Sequence, residues 1–263
     1  MKRATPGNGG AGRGSPGSAK LRLDQLLVDR GLAPSREKAR ALIIAGQVMV
    51  EGQKSDKPGH SIQAGSRIEV LQTMPYVSRG GLKLVAALDH FAIDVAGRIC
   101  LDVGSSTGGF TDCLLQRGAA GVWAVDVGRG QLDWKLRNDP RVTVREGVNA
   151  RYLRTEDFPE KFTFAVCDAS FISTTLLIPA IVPLLAPKLD IMRREMVILV
   201  KPQFESERGQ VGKGGIVRDP EVHRAACDRV RASIESFGFR AEIMESPILG
   251  AEGNREFLLH AHD

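Results

Sequence analysis

The sequence predicts an α/β fold, in which a seven-stranded, mostly parallel sheet with crossover helices follows a small α+β module. Three observations carry that expectation. From Ile99 onward, short apolar runs alternate with helical patterns, the mark of parallel strands joined by crossovers. Residues 20–71 instead hold two short helical patterns followed by brief alternating runs. Charge divides in the same region: residues 20–83 carry eleven Lys or Arg against six Asp or Glu, while residues 84–263 carry 22 against 25. A basic module on a slightly acidic body points to a polyanion-binding appendage, with a solvated, solubilising face as the plainer alternative.

In chain order, residues 1–19 hold six glycines, two prolines, three basic residues and no acid. So little apolar surface cannot offset the entropy of ordering, and a disordered basic tail is expected. Leu23, Leu26 and Leu27 share one face of a first helix that Gly31 stops. Ser35 caps a second helix running to about Ala45; Ala39, Leu42 and Ile43 form its inward stripe, flanked by Arg36 and Arg40 one turn apart. Val48 and Val50 alternate with polar neighbours up to the Glu51-Gly52 turn, and a further strand covers Ile68 to Leu71. Residues 72–83 are expected to link this module to one large domain over 84–263. There the pattern predicts strands at 99–102, 121–125, 142–145, 163–167, 195–200, 239–245 and 256–261, with helices at about 109–117, 130–137, 173–186 and 220–237. Asp219, Pro220 and Gly238 frame the last helix as cap, first-turn residue and stop. Seven strands, the last two with little helix between them, resemble the Rossmann-like methyltransferase sheet, whose last strand runs antiparallel.

Composition excludes several classes. With 263 residues, 43% apolar and 25% charged, the chain can bury a core and is neither disordered throughout nor a collagen-like or disulfide scaffold. Cys100, Cys113, Cys167 and Cys227 show no CxxC spacing, which argues for reduced thiols in a cytoplasmic protein. His60, His90, His223, His260 and His262 show no ligand spacing with them, so no metal is expected. The longest apolar run, Leu176 to Pro187, holds three prolines and falls short of the ~20 apolar residues of a bilayer helix. No membrane partner is expected, nor a secretory signal behind Lys2 and Arg3.

The chemistry gathers at strand ends. The first strand of the large domain leads through Asp102-Val103 into Gly104-Ser105-Ser106-Thr107-Gly108-Gly109-Phe110. Glycines at a strand–helix junction let the backbone turn sharply and approach a ligand, with helix N-terminal amides aimed at it. Asp126, ending the second strand, is placed to accept hydrogen bonds from a ribose diol. A nucleoside-containing cofactor is expected, a structural glycine turn being the bland alternative. Ser106 occupies the second glycine position of the dinucleotide fingerprint, which disfavours NAD. Asp102 at the strand tip suits the cationic methionine portion of S-adenosyl-L-methionine. Asn149 and Phe171 are weaker candidates for the adenosyl region, and Phe171 fits core packing equally well.

Four charged residues sharpen the reading. Lys83 precedes the sheet, Asp168 ends the fourth strand, Lys201 ends the fifth and Glu256 begins the last. Ligands of open α/β sheets bind beyond the carboxyl ends of the parallel strands, where Asp168 and Lys201 belong, and so does Glu256 if its strand is reversed. One charge at a strand end is commonly a solvated boundary; three on one edge are harder to dismiss. Gly209 to Gly215, which includes Lys213, lacks P-loop spacing and reads as a mobile flap.

Two resemblances follow. Arg22-Leu23-Asp24, Ser35-Arg36, Ala39, Leu42-Ile43, Gly46, Val48, Val50, Gly52 and Lys57-Pro58-Gly59 resemble the alpha-L RNA-binding domain of the ribosomal-protein-S4 type. That likeness implies Arg22, Arg36, Lys38 and Arg40 as phosphate contacts, which position RNA without reading its sequence. The order Lys83, Asp168, Lys201, Glu256, together with D-x-G-x-x-x-G-G-F, resembles the FtsJ-type RNA ribose 2′-O-methyltransferases. With the alpha-L domain in front, the match spans residues 21–261 and points to the TlyA family, cytidine 2′-O-methyltransferases of ribosomal RNA, many labelled hemolysins. One difference is Ser106-Thr107, where FtsJ has alanine and proline. The resemblance implies ribosomal RNA in its subunits as partner, S-adenosyl-L-methionine as cofactor, and Lys201 orienting or deprotonating the ribose hydroxyl beside Lys83, Asp168 and Glu256. Rival readings are a non-catalytic ribosome-assembly factor, a hemolysin and an NAD-linked enzyme; the intact tetrad, the lack of a membrane segment and Ser106 disfavour them in turn.

Overall fold

Leucines at 23, 26 and 27 build the first helix, α1 (Leu23–Asp29), behind a short strand, β1 (Lys20–Arg22). The computed structural model describes residues 20–71, 74–186, 193–250 and 253–263, in two units, Met1–Thr73 and Met74–Asp263. The tail expected over 1–19 lies outside the described residues. In the first unit α2 (Arg36–Ile44) starts where Ser35 Oγ accepts a hydrogen bond from Lys38 N at 3.2 Å. Strand β2 (Val48–Val50) pairs antiparallel with β3 (Gln53–Ser55), β4 (Ser61–Gln63) pairs with β1, and β5 (Ile68–Val70) pairs with β2. Leu23, Leu27, Ala39, Ile43 and Val48 close its core.

The second unit opens earlier than the sequence suggests. Residues 74–83, expected as linker, belong to it. Val77 N donates to Asp112 Oδ2 at 2.9 Å, Gln116 Nε2 donates to the Pro75 carbonyl, and Tyr76 packs on the core. Helix α3 (Gly80–His90) went unread because its periodicity begins only after a glycine pair; Leu84, Ala87 and Leu88 are its buried stripe. There follow β6 (Ile99–Val103), α4 (Gly109–Gln116), β7 (Gly121–Asp126), α5 (Trp134–Arg137), β8 (Val142–Glu146), β9 (Phe164–Cys167), α6 (Ile178–Ile181), β10 (Glu195–Val200), α7 (Pro202–Glu205), α8 (Pro220–Glu235), β11 (Arg240–Glu245) and β12 (Phe257–His262).

Two expected helices are shorter than predicted. Asp133 caps α5 through Lys135 N, so that helix begins at Trp134 rather than near Gly130. Across 173–186, Pro179 and Pro183 withhold the N–H groups a continuous helix needs, leaving α6 between two 3-10 turns, Thr174–Leu176 and Val182–Leu184. Helix α8 meets its expected frame, with Asp219 accepting from Glu221 N.

The sheet order is β11-β12-β10-β9-β6-β7-β8; β12 runs antiparallel to both neighbours and the other adjacent pairs are parallel. Alternate residues feed two cores. Leu101, Val103, Ala165, Met196, Ile198 and Val200 face the layer with α6 and α8. Cys100, Phe164, Val166, Val197 and Leu199 face α3 and α4. Strand β6 is the switch point, with β7 on one side and β9 on the other, so its carboxyl end opens into a crevice. Burial pushes the thiols of Cys100, Cys113, Cys167 and Cys227 up to about 12, which keeps them protonated and unreactive.

Candidate active site

The loop leaving β6 is held from both sides. Gly104, at φ 83°, passes against the backbone of Asp168, whose N–H bonds the Val103 carbonyl at 2.9 Å. Asp126 Oδ2 accepts from Ser106 N at 2.8 Å and Oδ1 from Gly128 N at 2.7 Å. Ser106 itself adopts φ 47°. Each Asp126 oxygen therefore keeps one lone pair for a further donor.

Two cavities open beside this loop. The larger, about 430 Å³, is lined by Asp126 and Asn149 among polar groups and by Val127, Ala150, Ile172 and Leu177 among apolar ones. Its volume suits a small-molecule site, and a carboxylate facing an apolar slot fits a nucleoside's diol and base. The smaller, about 220 Å³, takes Lys83, Gly104, Ser105, Ser106, Thr107, Gly109, Phe110 and Asp168 into its wall. Gly108 is the left-handed residue before α4 and lines neither.

Asp102 departs from expectation. The sequence placed its carboxylate against a cationic ligand, but it is fully buried and lines neither cavity, because β6 turns it toward α4. There Oδ2 accepts from Thr111 Oγ1 at 2.6 Å, while Oδ1 has no hydrogen-bond partner among the described residues. Burial pushes its pKa from 3.8 up to about 7. The native protein thus keeps a proton that the unfolded chain releases, and stability falls as pH rises from about 4 to about 7, then levels. Asp102→Asn is expected to flatten that slope, seen as a smaller change of melting temperature between pH 5 and pH 8 than in the parent.

The four charged candidates come together. Lys201 follows β10 and places Nζ 2.6 Å from Asp168 Oδ1 and 2.8 Å from Ser170 Oγ. Lys83, on α3, bonds Glu256 Oε2. The Val200–Phe257 register brings the end of β10 beside the start of β12, and Lys201 and Glu256 line one further cavity of about 340 Å³. Lys83, Lys201 and Glu256 are buried, so each charge leaves water only with its partner attached. Asp168 lines both cavities of the β6 loop and is bonded to Lys201 of the third, so the tetrad stands where the three adjoin.

Phe171 is not core. It is 91% exposed at φ 64°, its ring centroid 5.2 Å from that of Phe204, and it lines both the 430 Å³ and 340 Å³ cavities. Several supports escaped the sequence reading. Glu205 accepts from Thr174 N, Thr174 Oγ1 and Ser173 Oγ, fixing the segment after Phe171. Asn254 Oδ1 accepts from Val217 N and Nδ2 donates to the Gly215 carbonyl. The expected flap over 209–215 is thereby pinned at its end as part of the wall, with Val211 and Gly215 in the lining. Ser170 and Asn254 lay within the motifs around Asp168 and Glu256; Glu205 carried no local signal.

In the first unit Arg22, Arg36 and Arg40 line a cavity of about 350 Å³. Buried Asp24 aligns the first two, 2.9 Å from Arg22 Nη2 and 3.3 Å from Arg36 Nε. The Arg22 guanidinium beside it holds its pKa down at about 2. Lys38 is exposed on α2, outside that lining.

A family model described as FtsJ-like methyltransferase matches residues 76–262, and an S4 domain model matches residues 21–68. The chain belongs to the FtsJ-like methyltransferase family. This methyltransferase is 46% identical over 243 residues to the 16S/23S rRNA (cytidine-2′-O)-methyltransferase TlyA of Mycobacterium tuberculosis, covering 91% of this chain and 89% of that one. It is 45% identical over 244 residues to Hemolysin A of Brachyspira hyodysenteriae, covering 91% and 99%. A solved structure of a candidate hemolysin from Streptococcus thermophilus superposes with a TM-score of 0.70 at 43% identity, over 93% of this chain and 88% of that one. The methyltransferase sheet and the S4 domain are thus both as the sequence predicts. No helix among the described residues is long and apolar enough to cross a membrane.

Proposed function

We propose that the protein methylates the 2′-hydroxyl of a cytidine ribose in ribosomal RNA with S-adenosyl-L-methionine as donor. The observation that carries this reading is the crossed pair of ion pairs, Lys201–Asp168 and Lys83–Glu256, at the junction of a nucleoside-sized cavity and a second one beside it.

When bound, S-adenosyl-L-methionine supplies a methyl group on an electrophilic sulfonium. Asp126 and Asn149 would hold its ribose side, Val127, Ile172 and Leu177 its base, and the wall of Gly104 to Thr107, Gly109 and Phe110 the remainder. Lys201, after giving one Nζ proton to solvent, orients the ribose hydroxyl and takes up its proton as the new C–O bond forms; Asp168 then holds the restored ammonium. Ser170 fixes the Nζ position, and Glu256 keeps Lys83 beside the reacting oxygen as a second donor. Alignment alone supplies up to ~7–11 kcal/mol of such a barrier, so the rigid frame around Lys201 matters as much as its basicity. In the S4 module the three-arginine cavity takes RNA phosphates, with Asp24 presetting two of the guanidiniums.

The decisive experiment maps ribose methylation on ribosomal RNA from cells with and without this protein. At least one cytidine is expected to lose its 2′-O-methyl group on deletion and regain it on complementation. An unchanged map, with purified protein transferring no labelled methyl to ribosomal subunits, would refute the reading.

A further inference from the structure

We propose that the far end of β12 carries a binding site for one divalent transition-metal ion of the zinc class, formed by Glu242, His260 and His262. Residues two apart on a strand share a face, so His260 and His262 project together, and the register sets Glu242 of β11 directly across from His260. One donor atom from each of the three lies within 4.8 Å of the others. His262 Nε2 is 3.6 Å from Glu242 Oε1, and the two imidazole centroids are 5.1 Å apart.

His260 supplies the independent sign. It is only 5% exposed, yet its Nδ1 has no hydrogen-bond partner among the described residues. Buried polar atoms are ordinarily satisfied, so an imidazole left in this state has a vacant valence for a ligand. Its Nε2 faces Glu195 Oε1 at 3.3 Å, and Glu195 is in turn held by Arg98 Nη1 at 2.6 Å. An ion on one nitrogen, with the other N–H given to Glu195, makes the carboxylate–histidine–metal order that orients metal-bound imidazoles. Arg98 does not repel the ion unopposed, since Glu195 already matches its charge. The Phe91 ring, 5.1 Å from that of His260, closes the apolar side.

Two imidazoles and one carboxylate form a borderline donor set, suited to zinc with water in the fourth position. Donors around zinc at ~2.1 Å stand about 3.4 Å apart in a tetrahedron, so the cluster must contract. The Glu242 side chain is 65% exposed and can swing inward with little loss of packing. His262 lies six positions along the strand from Glu256, about 20 Å. The ion would therefore clip β11 to β12 and take no part in methyl transfer.

The test uses untagged, full-length protein stripped with chelator and dialysed, titrated with zinc chloride calorimetrically and with cobalt(II) by visible absorption. One equivalent of zinc, a tetrahedral cobalt spectrum and a zinc-dependent rise in melting temperature are expected. Glu242→Gln and His262→Ala should each weaken zinc affinity at least tenfold and leave methyl transfer unchanged. The near-isosteric, exposed Glu242→Gln keeps the test open if the histidine variant folds poorly. Absence of saturable zinc uptake, or uptake of equal affinity in both variants, would overturn the proposal.

Discussion

Replacing Lys201 by alanine is expected to lower single-turnover methyl transfer by about 10²–10⁴-fold, the usual contribution of a positioned proton acceptor. Binding of S-adenosyl-L-methionine should remain close to that of the parent, because Lys201 lines the 340 Å³ cavity and neither of the two beside the β6 loop. The expected signature is a lost rate with a retained donor affinity. Both alanine and methionine leave Asp168 without its 2.6 Å partner, but Lys201→Met keeps the stem's bulk and so separates loss of the ammonium from loss of packing. Parental turnover in either variant would take Lys201 out of the mechanism.

The second large effect is expected from Gly104→Ala. A Cβ there would lie 2.6 Å from the Asp168 carbonyl oxygen and 2.8 Å from its carbon, which are backbone atoms at the end of β9 with nowhere to go. The residue also sits at φ 83°, which costs an L side chain roughly 1–2 kcal/mol. Donor affinity should fall at least about tenfold, equivalent to ~1.4 kcal/mol, because the loop and Asp168 are pushed apart. Gly130→Ala separates the two causes: its φ is 70°, yet nothing lies within 4 Å of the added carbon. Equal losses in both, measured by donor titration and melting temperature, would show that dihedral strain alone is responsible.

Legibility from sequence tracked how local each signal was. Strand β10 falls on the predicted residues because an unbroken apolar run ends at Lys201-Pro202, and α8 begins at its predicted start because Asp219 and Pro220 mark that end locally. Strands β1, β3 and β4 hold at most one apolar residue each, so no alternation registers, whereas the equally short β2 and β5 hold at least two. Helix α3 was hidden by its opening glycines, which also turned Lys83 from a helical residue into an apparent linker residue. The active-site charges were readable because sheet topology assigns strand ends to one edge without any contact being known. The burial of Asp102, the anchoring by Glu205 and the exposure of Phe171 depend on residues distant in sequence or on one backbone dihedral. Neither periodicity nor motif encodes those.

The reversed strand β12 has a consequence for how the molecule matures. It is the last strand in sequence but lies inside the sheet, between β11 and β10, and the Lys83–Glu256 contact spans 173 residues. Contacts that close such long loops form late in folding. Until β12 inserts, β10 presents Met196 to Val200 as an unprotected apolar border, open to pairing with another chain. The same insertion delivers Glu256, so chemical competence and protection from aggregation arrive in a single event, and a half-assembled molecule is both sticky and inert.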